Sequence, residues 1–417
     1  MKSRGASAKS GQPPAEIPPI ETDVFIVGGG PAGLAAAIAA RQKGFRVCIA
    51  DRATPPVDKA CGEGLMPAGI AALRELGITI PAEQSFPFQG IRFVEGNLAA
   101  QSRFPNECGM GIRRTTLHGI LVGRADALGV EMHWGKRVIG LNPRGNGNSE
   151  QRSDISLEGR AIRARWIIGA DGHNSRVRQW ARFAPLRNKG LRYGFRSHFQ
   201  IAPWSNYVEV HWGPECQIYV TPVGHREVCV AVLAANPKLR LAGALPLFPA
   251  VARHLQHAVP LTVEMGGISS TITMTAVTRR QIVPVALIGD ASGSLDAIAG
   301  EGISLAFHQA LALADALKRN DLTVYEAEHR RSRKRPIVMS RLLVALSRHS
   351  RLRNRVLSAF ASEPSLFSKL VAVHSGASVS PLMALQIVGS LGWRILSPGK
   401  IAASNQPTSE SAVSQSG

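Results

Sequence analysis

The sequence predicts an α/β fold: a Rossmann-like domain, interrupted by an antiparallel β-sheet domain and followed by a helical C-terminal segment. Three apolar runs, near residues 24, 166 and 285, each lead into a glycine-containing turn before a helix-like segment. Between the second and third runs, residues 190–274 contain short alternating stretches such as "YVEVHW" and "EVCVAVLAA", which are typical of antiparallel strands. A chain of 417 residues is long enough for two or three such domains.

The first apolar run, Val24–Val27, leads into the strongest motif of the chain. The following "GGGPAG" fits G-x-G-x-x-G, an alanine-rich helix continues to about Lys43, and a second strand ends at Asp51. Such glycines let the backbone approach a pyrophosphate at a helix N-terminus, and the acid accepts hydrogen bonds from ribose hydroxyls. The residues predicted to hold a dinucleotide here are Gly28, Gly30, Pro31, Ala32, Gly33, Asp51 and Arg52.

Two later turns have the same strand-to-helix form. The run Trp166–Ile168 leads to Asp171-Gly172, and Val285–Ile288 leads to Gly289-Asp290. A glycine-containing loop and a long helix from about residue 302 follow the second of these turns. Taken singly, each could be an ordinary turn, because Asp and Gly are common there.

In this order and spacing, the three pieces resemble the FAD-binding signature of the para-hydroxybenzoate hydroxylase-like flavoproteins, a branch of the glutathione reductase-type fold. The resemblance runs from about residue 23 to residue 317 and implies FAD as cofactor. It implies that Asp51 and the glycine loop hold the adenosine diphosphate half. Asp171-Gly172 would lie near the pyrophosphate and the approach of the nicotinamide cofactor, and Gly289-Asp290 would bind the ribityl chain. Arg114 in "RRTTL" matches an arginine that touches the flavin, with Arg113 as the alternative.

Two further segments resemble the geranylgeranyl reductase family, which uses FAD to saturate carbon-carbon double bonds of isoprenoid chains. "AGEGI" resembles the loop beside the flavin ring, and "CGEGL" resembles a loop that lines the substrate pocket. That family's aromatic substrate-domain motif has no counterpart here. The resemblance implies the following residues beside the flavin or the substrate: Gly300, Gly302, Ile303, Cys61, Gly62, Glu63 and Gly64.

The two loops carry specific expectations. Cys61 is a candidate catalytic proton donor or a small pocket wall, and an inert packing role is the alternative. Gly62 and Gly64 are expected to allow an unusual backbone path, and Glu63 to cap a helix or face solvent. The helix from residue 302 would aim its N-terminus at the flavin's pyrimidine edge, with Glu301 pointing away.

Composition and charge suggest where the protein works. No apolar run is long enough to predict a membrane-spanning helix, no secretory signal is evident, and five cysteines without a C-x-x-C pair predict reduced thiols in the cytoplasm and no metal site. The net charge is +20, and ten Lys or Arg residues without an acid lie between Arg330 and Arg355. This segment is predicted to form amphipathic helices on either side of Pro336 that meet the inner, anionic face of a membrane, or else a solvated basic face. Nucleic acid is a less favoured partner because no aromatics interleave the charges.

The predicted organisation divides the chain into five parts. They are a disordered tail (1–21), a discontinuous FAD-binding domain (22–85, 108–189 and 275–329), a substrate domain (86–107 and 190–274), a basic helical region (330–400) and a second tail (401–417). The predicted function is an FAD-dependent oxidoreductase of the geranylgeranyl reductase-like type, supplied by NADPH or NADH and acting on a hydrophobic isoprenoid, lipid or polyketide-like substrate. The alternatives are an FAD-dependent monooxygenase on the same fold and, less favoured, an RNA-associated or non-catalytic flavoprotein.

Overall fold

A computed structural model describes residues 18–142, 152–185, 189–280, 284–376, 389–390 and 392–393. Most of the predicted N-terminal tail, and all of residues 401–417, lie outside this range. The strands are β1 Ile20–Val27, β2 Val47–Asp51, β3 Gly64–Leu65, β4 Phe86–Phe88, β5 Gly90–Glu95, β6 Leu98–Arg103, β7 Gly109–Gly111, β8 Glu131–Trp134, β9 Val138–Asn142, β10 Ser153–Leu157, β11 Arg160–Gly169, β12 Lys189–Gln200, β13 Tyr207–Trp212, β14 Cys216–Gly224, β15 Glu227–Ala234, β16 Val259–Pro260, β17 Met265–Thr271, β18 Thr278–Arg279 and β19 Val285–Leu287. The helices are α1 Pro31–Gln42, α2 Pro67–Glu75, α3 Arg114–Ala127, α4 Arg176–Trp180, α5 Leu241–Ala244, α6 Pro249–Leu255, α7 Gly302–Lys318, α8 Leu322–Arg348, α9 Ser350–Ser362 and α10 Pro364–Ser375.

The first sheet is the predicted Rossmann-like layer. Its order is β18-β19-β11-β1-β2-β8, with β19, β11, β1, β2 and β8 parallel and a β9–β10 hairpin continuing from β11. The three predicted apolar runs lie side by side in β1, β11 and β19, so their carboxyl ends share one edge of the sheet. In open α/β sheets ligands bind at this edge. β1 begins at Ile20, two residues inside the predicted tail.

Close packing explains the alanine and glycine content of α1. The helix begins with Pro31 at its first position, after extended Gly30, and its residues 33–40 are buried. A Cβ on Gly33 would lie 1.8 Å from the backbone oxygen of Gly28. A larger residue at position 33 would therefore push α1 away from the loop that follows β1.

The second sheet holds the predicted inserted domain. Its order is β16-β12-β15-β14-β13-β5-β6, with β17 also pairing with β12. Neighbouring strands are antiparallel except β13 and β5, which run parallel, so "GIRFVEG" joins this sheet as predicted. One face packs on α5 and α6, and the other on α8, α9 and α10. The α/β fold with an inserted antiparallel sheet and C-terminal helices is confirmed.

The basic segment differs from its prediction. α8 continues through Pro336 as one helix, and the apolar side chains of Leu343 and Leu346 are buried in the core. Arg333 is also buried, and its guanidinium donates to the carbonyl of Gly293 at 2.6 Å. Leu343 and Leu346 therefore face the protein rather than lipid, whereas Val338 is 67% exposed, and contact of the basic surface with a membrane stays a prediction. Within the described residues no single helix is long and apolar enough to span a membrane, whereas α9 and α10, bent by 107°, pass that test as a pair.

Candidate functional site

A cavity of about 1340 Å³ runs along the edge where β1, β11 and β19 end and continues under the second sheet. Its lining includes all the predicted site residues except Gly33, which packs behind the first turn. The cavity therefore joins the predicted cofactor and substrate residues in one space.

The three predicted turns contact one another at one end of this cavity. A Cβ on Gly28, whose φ is +111°, would lie 2.4 Å from the oxygen of Ala170, the residue before Asp171. A Cβ on Gly289 would lie 2.7 Å from the Cβ of Ala32. Segments far apart in sequence thus form one tightly packed wall, and glycine is required where they meet.

Gly30 is different, because a Cβ there would meet no protein atom within 4 Å. The space in front of the α1 N-terminus is open, and the free N–H groups of that helix end would suit a pyrophosphate. The carboxylate of Asp51 accepts hydrogen bonds from Gly29 N (2.6 Å) and Ala53 N (2.8 Å). Asp51 therefore also holds the loop in place, alongside its predicted contact with a ribose.

Arg114 lines the cavity, whereas Arg113 forms an ion pair with Glu227 and is not part of the lining. The Nε of Arg114 is buried and has no hydrogen-bond partner within the described residues. A buried guanidinium nitrogen without a partner is costly unless a ligand supplies an acceptor. The open space at Gly30 and this unpaired donor both fit FAD, with Arg114 rather than Arg113 beside it.

The other two turns have mixed structural and site roles. Asp171 accepts from Ser175 Oγ (2.5 Å) and from Arg176 N (2.7 Å), so its carboxylate holds the first turn of α4. Asp290 lies at the cavity with its carboxylate 3.2 Å from Lys59 Nζ, and both side chains are exposed by more than a third. Lys59 was not predicted as a site residue, although it lies two residues before the "CGEG" loop.

The N-terminal end of α7 also borders the cavity. Neither Gly300, with φ +68°, nor Gly302 would place a Cβ within 4 Å of another protein atom. Space for a ligand ring therefore lies against the helix end, as the resemblance implies for the flavin.

The loop at Cys61 adopts its unusual path in a way that was not predicted. The left-handed residue is Glu63, with φ +58°, and neither flanking glycine has a positive φ. Glu63 is buried, and its carboxylate accepts from Arg114 N (2.9 Å) and lies 2.6 Å from His198 Nε2. The expectation that Glu63 faces solvent is wrong, while its helix-capping role at α3 agrees with the structure.

A buried charge network surrounds Glu63. Arg196 is 2% exposed, with its Nε 3.5 Å from Glu63 and its Nη2 bonded to Asp58. Cys229 lies beneath, and burial raises the pKa of its thiol well above the ordinary range. Glu63, His198 and Cys229 have the residue types and spacing of a metal site, but the neighbouring guanidinium already supplies a positive charge.

Cys61 lines the cavity and is half-buried. Its sulfur accepts from Glu63 N at 3.4 Å, so the thiol is part of the loop's own bonding. Both of its predicted roles, proton donor and pocket wall, are compatible with this position.

Beyond the loop, the cavity enters an apolar branch between the second sheet and the C-terminal helices. Strands β5, β13 and β15 form one wall, and α8 and α10 form the other. The apolar side chains of this branch are Met66, Ile91, Phe93, Val208, Leu233, Ile298, Met339, Leu343, Phe367, Leu370 and Val371. Such a lining suits an extended hydrophobic molecule.

Besides His198, three further histidines near the site were missed. His118 is buried and its Nε2 lies 2.9 Å from the oxygen of Gly29, which ties α3 to the glycine loop. His118 lies four residues after Arg114 and so on the same face of α3, and this spacing could have predicted from the sequence that both lie near the cofactor site. His173, next to Asp171-Gly172, lines the cavity, and burial lowers its pKa. His374, on α10, has no motif around it.

Comparison with known proteins agrees with this geometry. The model of the FAD binding domain family matches residues 21–321. The chain belongs to this family. It is therefore an FAD-dependent oxidoreductase, and the resemblance to para-hydroxybenzoate hydroxylase-like and geranylgeranyl reductase-like flavoproteins is confirmed.

Three similar proteins illustrate the range of the family. A menaquinone reductase of Mycolicibacterium smegmatis is 27% identical over 324 residues, which is 73% of this chain and 78% of that protein. A ubiquinone hydroxylase of Rhodospirillum rubrum is 28% identical over 353 residues, 75% and 77% of the two chains. The solved structure of a geranylgeranyl bacteriochlorophyll reductase-like protein from Thermoplasma acidophilum has a TM-score of 0.65 at 20% identity, covering 89% of this chain and 96% of that one.

Proposed function

We propose that this protein is an NAD(P)H-linked reductase that saturates a carbon-carbon double bond in a hydrophobic substrate with an isoprenoid or similar chain. The observation that carries the proposal is the apolar branch, which opens beside the "CGEG" and "AGEGI" loops. An apolar lining next to the cofactor half suits a chain whose reacting bond has no polar group nearby. The name of the mycobacterial relative makes menaquinone the first substrate to test.

FAD would supply hydride-transfer chemistry, and the protein would supply position and electrostatics. The α1 N-terminus, Gly30 and Asp51 would hold the nucleotide end, and Arg114 would donate to an acceptor that its buried Nε now lacks. The α7 N-terminus would stabilise negative charge on the ring. The walls of the branch would exclude water from the double bond.

A monooxygenase is the second candidate. The ubiquinone hydroxylase relative covers as much of the chain as the reductase does, and the predicted cofactor residues serve both chemistries. The two functions differ in their product: a reductase adds two hydrogens to the substrate, and a monooxygenase inserts one oxygen atom.

One experiment separates them. FAD-loaded protein is reduced with NADPH or NADH without oxygen, and reoxidation is followed after adding menaquinone or air. Menaquinone-dependent reoxidation supports the reductase if the product is heavier by two hydrogens and keeps that mass after its ring is reoxidised to the quinone, because reduction of the ring to a quinol also adds two hydrogens. Reoxidation that needs oxygen and gives an oxygenated product supports the monooxygenase, and failure of both NADPH and NADH to reduce the flavin contradicts both candidates.

Peripheral membrane association is a separate part of the proposal. The exposed side of α8 and the start of α9 carry Arg331, Lys334, Arg341, Arg348 and Arg351. This basic surface would bring a cytoplasmic protein to anionic lipid by charge, without an inserted apolar face. Flotation with vesicles containing anionic lipid, at low and high salt, tests the idea. Salt-resistant flotation, or none at low salt, would contradict it.

A further inference from the structure

Glu301 and His374 form a buried pair where the apolar branch meets the loop before α7. Glu301 Oε1 lies 3.2 Å from His374 Nδ1, and the two side chains are 11% and 7% exposed. Both residues line the cavity. The charged group that acts on the pair from α8 is Arg335, whose own side chain is exposed.

The pair is not held as an ordinary ion pair. Glu301 Oε2 and His374 Nδ1 have no aligned hydrogen-bond partner among the described residues, although Nδ1 is close to Oε1. Burial raises the pKa of Glu301 to about 8, against the pull of Arg335, and lowers the pKa of His374 to about 4. At neutral pH the carboxyl group therefore holds its proton and the imidazole is neutral.

Glu301 is distinct among the carboxyl groups that line the cavity. The others each accept from a backbone N–H or pair with a basic side chain, and they are Asp51, Asp58, Glu63, Asp171, Asp290 and Asp296. Such partners occupy their carboxylate oxygens, whereas Oε2 of Glu301 has no hydrogen-bond partner among the described residues. Among the described residues of this lining, Glu301 is thus the carboxyl group suited to store and release a proton near neutral pH.

We propose that Glu301 is the catalytic acid of the reduction and that His374 is a positioning residue that orients its carboxyl group. The proposal rests on the reductase function above. One alkene carbon accepts a hydride from the cofactor, which is thereby oxidised by two electrons. The other carbon takes the proton from the Glu301 carboxyl oxygen, the π bond breaks, and two C–H bonds form. Water entering after product release returns the proton to Glu301.

The position of the pair supports this role over its alternative, Cys61. Glu301 follows Ile298 and Ala299, which line the start of the apolar branch, so its carboxyl group lies beside the space for the substrate chain. Cys61 lies on the loop before the branch, and the bond that its sulfur accepts from Glu63 N leaves its own proton unengaged, so Cys61 is the donor to test beside Glu301. Substituting each residue separately distinguishes the two donors.

The test uses FAD-loaded Glu301→Gln, Glu301→Asp, His374→Asn and Cys61→Ser, with Glu107→Gln as an exposed carboxyl control. We expect wild-type protein at pH 7 to show the infrared band of a protonated carboxyl group, and Glu301→Gln to lack that band. The band should disappear as the pH rises through about 8. This measurement needs no substrate. A band that survives in Glu301→Gln, or that is absent from wild type, would overturn the proposal.

Single-turnover kinetics with menaquinone provide the second measurement. Reduction of the flavin by NAD(P)H should be unchanged in Glu301→Gln, while saturation of the menaquinone double bond, measured on product whose ring has been reoxidised to the quinone, falls by about 10²–10⁴-fold. Glu301→Asp should recover part of the transfer rate. His374→Asn should shift the pH at which the transfer rate changes, and Glu107→Gln should match wild type. Two results would overturn the role of Glu301. One is a transfer rate in Glu301→Gln within threefold of wild type. The other is a loss of that rate by about 10²–10⁴-fold in Cys61→Ser without such a loss in Glu301→Gln. If wild type itself fails to reduce menaquinone, that failure counts against the proposed substrate, and the infrared result still decides the state of Glu301.

Discussion

Replacing Arg196 by Met should destabilise the protein strongly, because it removes the cation at the centre of a buried network. Arg196 is 2% exposed and lies between Asp58, Glu63 and His198. The Glu63 side chain is 1% exposed, so water cannot replace the lost charge, whereas that of Asp58 is 28% exposed and can be rehydrated. The contact between Arg196 and Glu63 is therefore the one that is lost without replacement by water.

Removing one partner from a buried pair costs about 3–5 kcal/mol. Because Glu63 keeps its bonds from Arg114 N and His198, we expect the low end, about 3 kcal/mol in the free energy of unfolding. The assay is urea unfolding of the FAD-saturated protein. Arg74→Met is the control, since Arg74 and Glu107 are exposed, and it should cost less than about 1 kcal/mol. An Arg196→Met protein within 1 kcal/mol of wild type would refute the reasoning, and so would a double variant with Glu63→Gln that shows no coupling.

Three further predictions follow from the cavity. Gly33→Ala should disrupt the fold, because a Cβ there would overlap the backbone of Gly28. Gly30→Ala should fold normally but bind FAD at least tenfold more weakly, because its methyl group would occupy open cofactor space. Calorimetry and FAD titration check both variants, and an FAD affinity of Gly30→Ala equal to that of wild type would contradict the site. The raised pKa of Glu301 means that its carboxyl group holds an extra proton in the folded state between about pH 4.5 and 8, so the contribution of Glu301 to stability should fall as pH rises through this window, while the lowered pKa of His374 acts in the opposite direction below about pH 6.5. Glu301→Gln should reduce this loss by roughly 3–5 kcal/mol in urea unfolding, and an unchanged pH profile would contradict the buried acid. Leu343→Trp should fill the apolar branch and abolish transfer to menaquinone while NAD(P)H still reduces the flavin; unchanged transfer would show that the substrate lies elsewhere.

Sequence was most informative where a backbone requirement restricts residue type. The three glycine turns could be predicted because each needs a small residue at a fixed place after a strand, and the structure brings them together. The parallel run β1, β11 and β19 follows from the same signals. These features depend on local chain geometry, which a single sequence records directly.

What could not be predicted depends on distant partners. Glu63 looked like a loop residue because His198 and Arg196, which enclose it, lie on β12, more than 130 positions later. The basic segment resembled a lipid-binding amphipathic helix because the spacing of its apolar residues is the same whether they pack on the protein core or on a membrane. Likewise, the role proposed for Glu301 depends on His374, which α10 places beside it.

The shared cavity has a consequence for how this architecture changes over evolution. With FAD in place, the cofactor itself would form one boundary of the substrate space, and α8 and α10 would form the opposite one. Substitutions of the apolar lining residues of those two helices would lengthen, shorten or bend the space without changing the glycine turns that would hold the nucleotide. The residues that would shape substrate preference thus lie in different stretches of the chain from those turns.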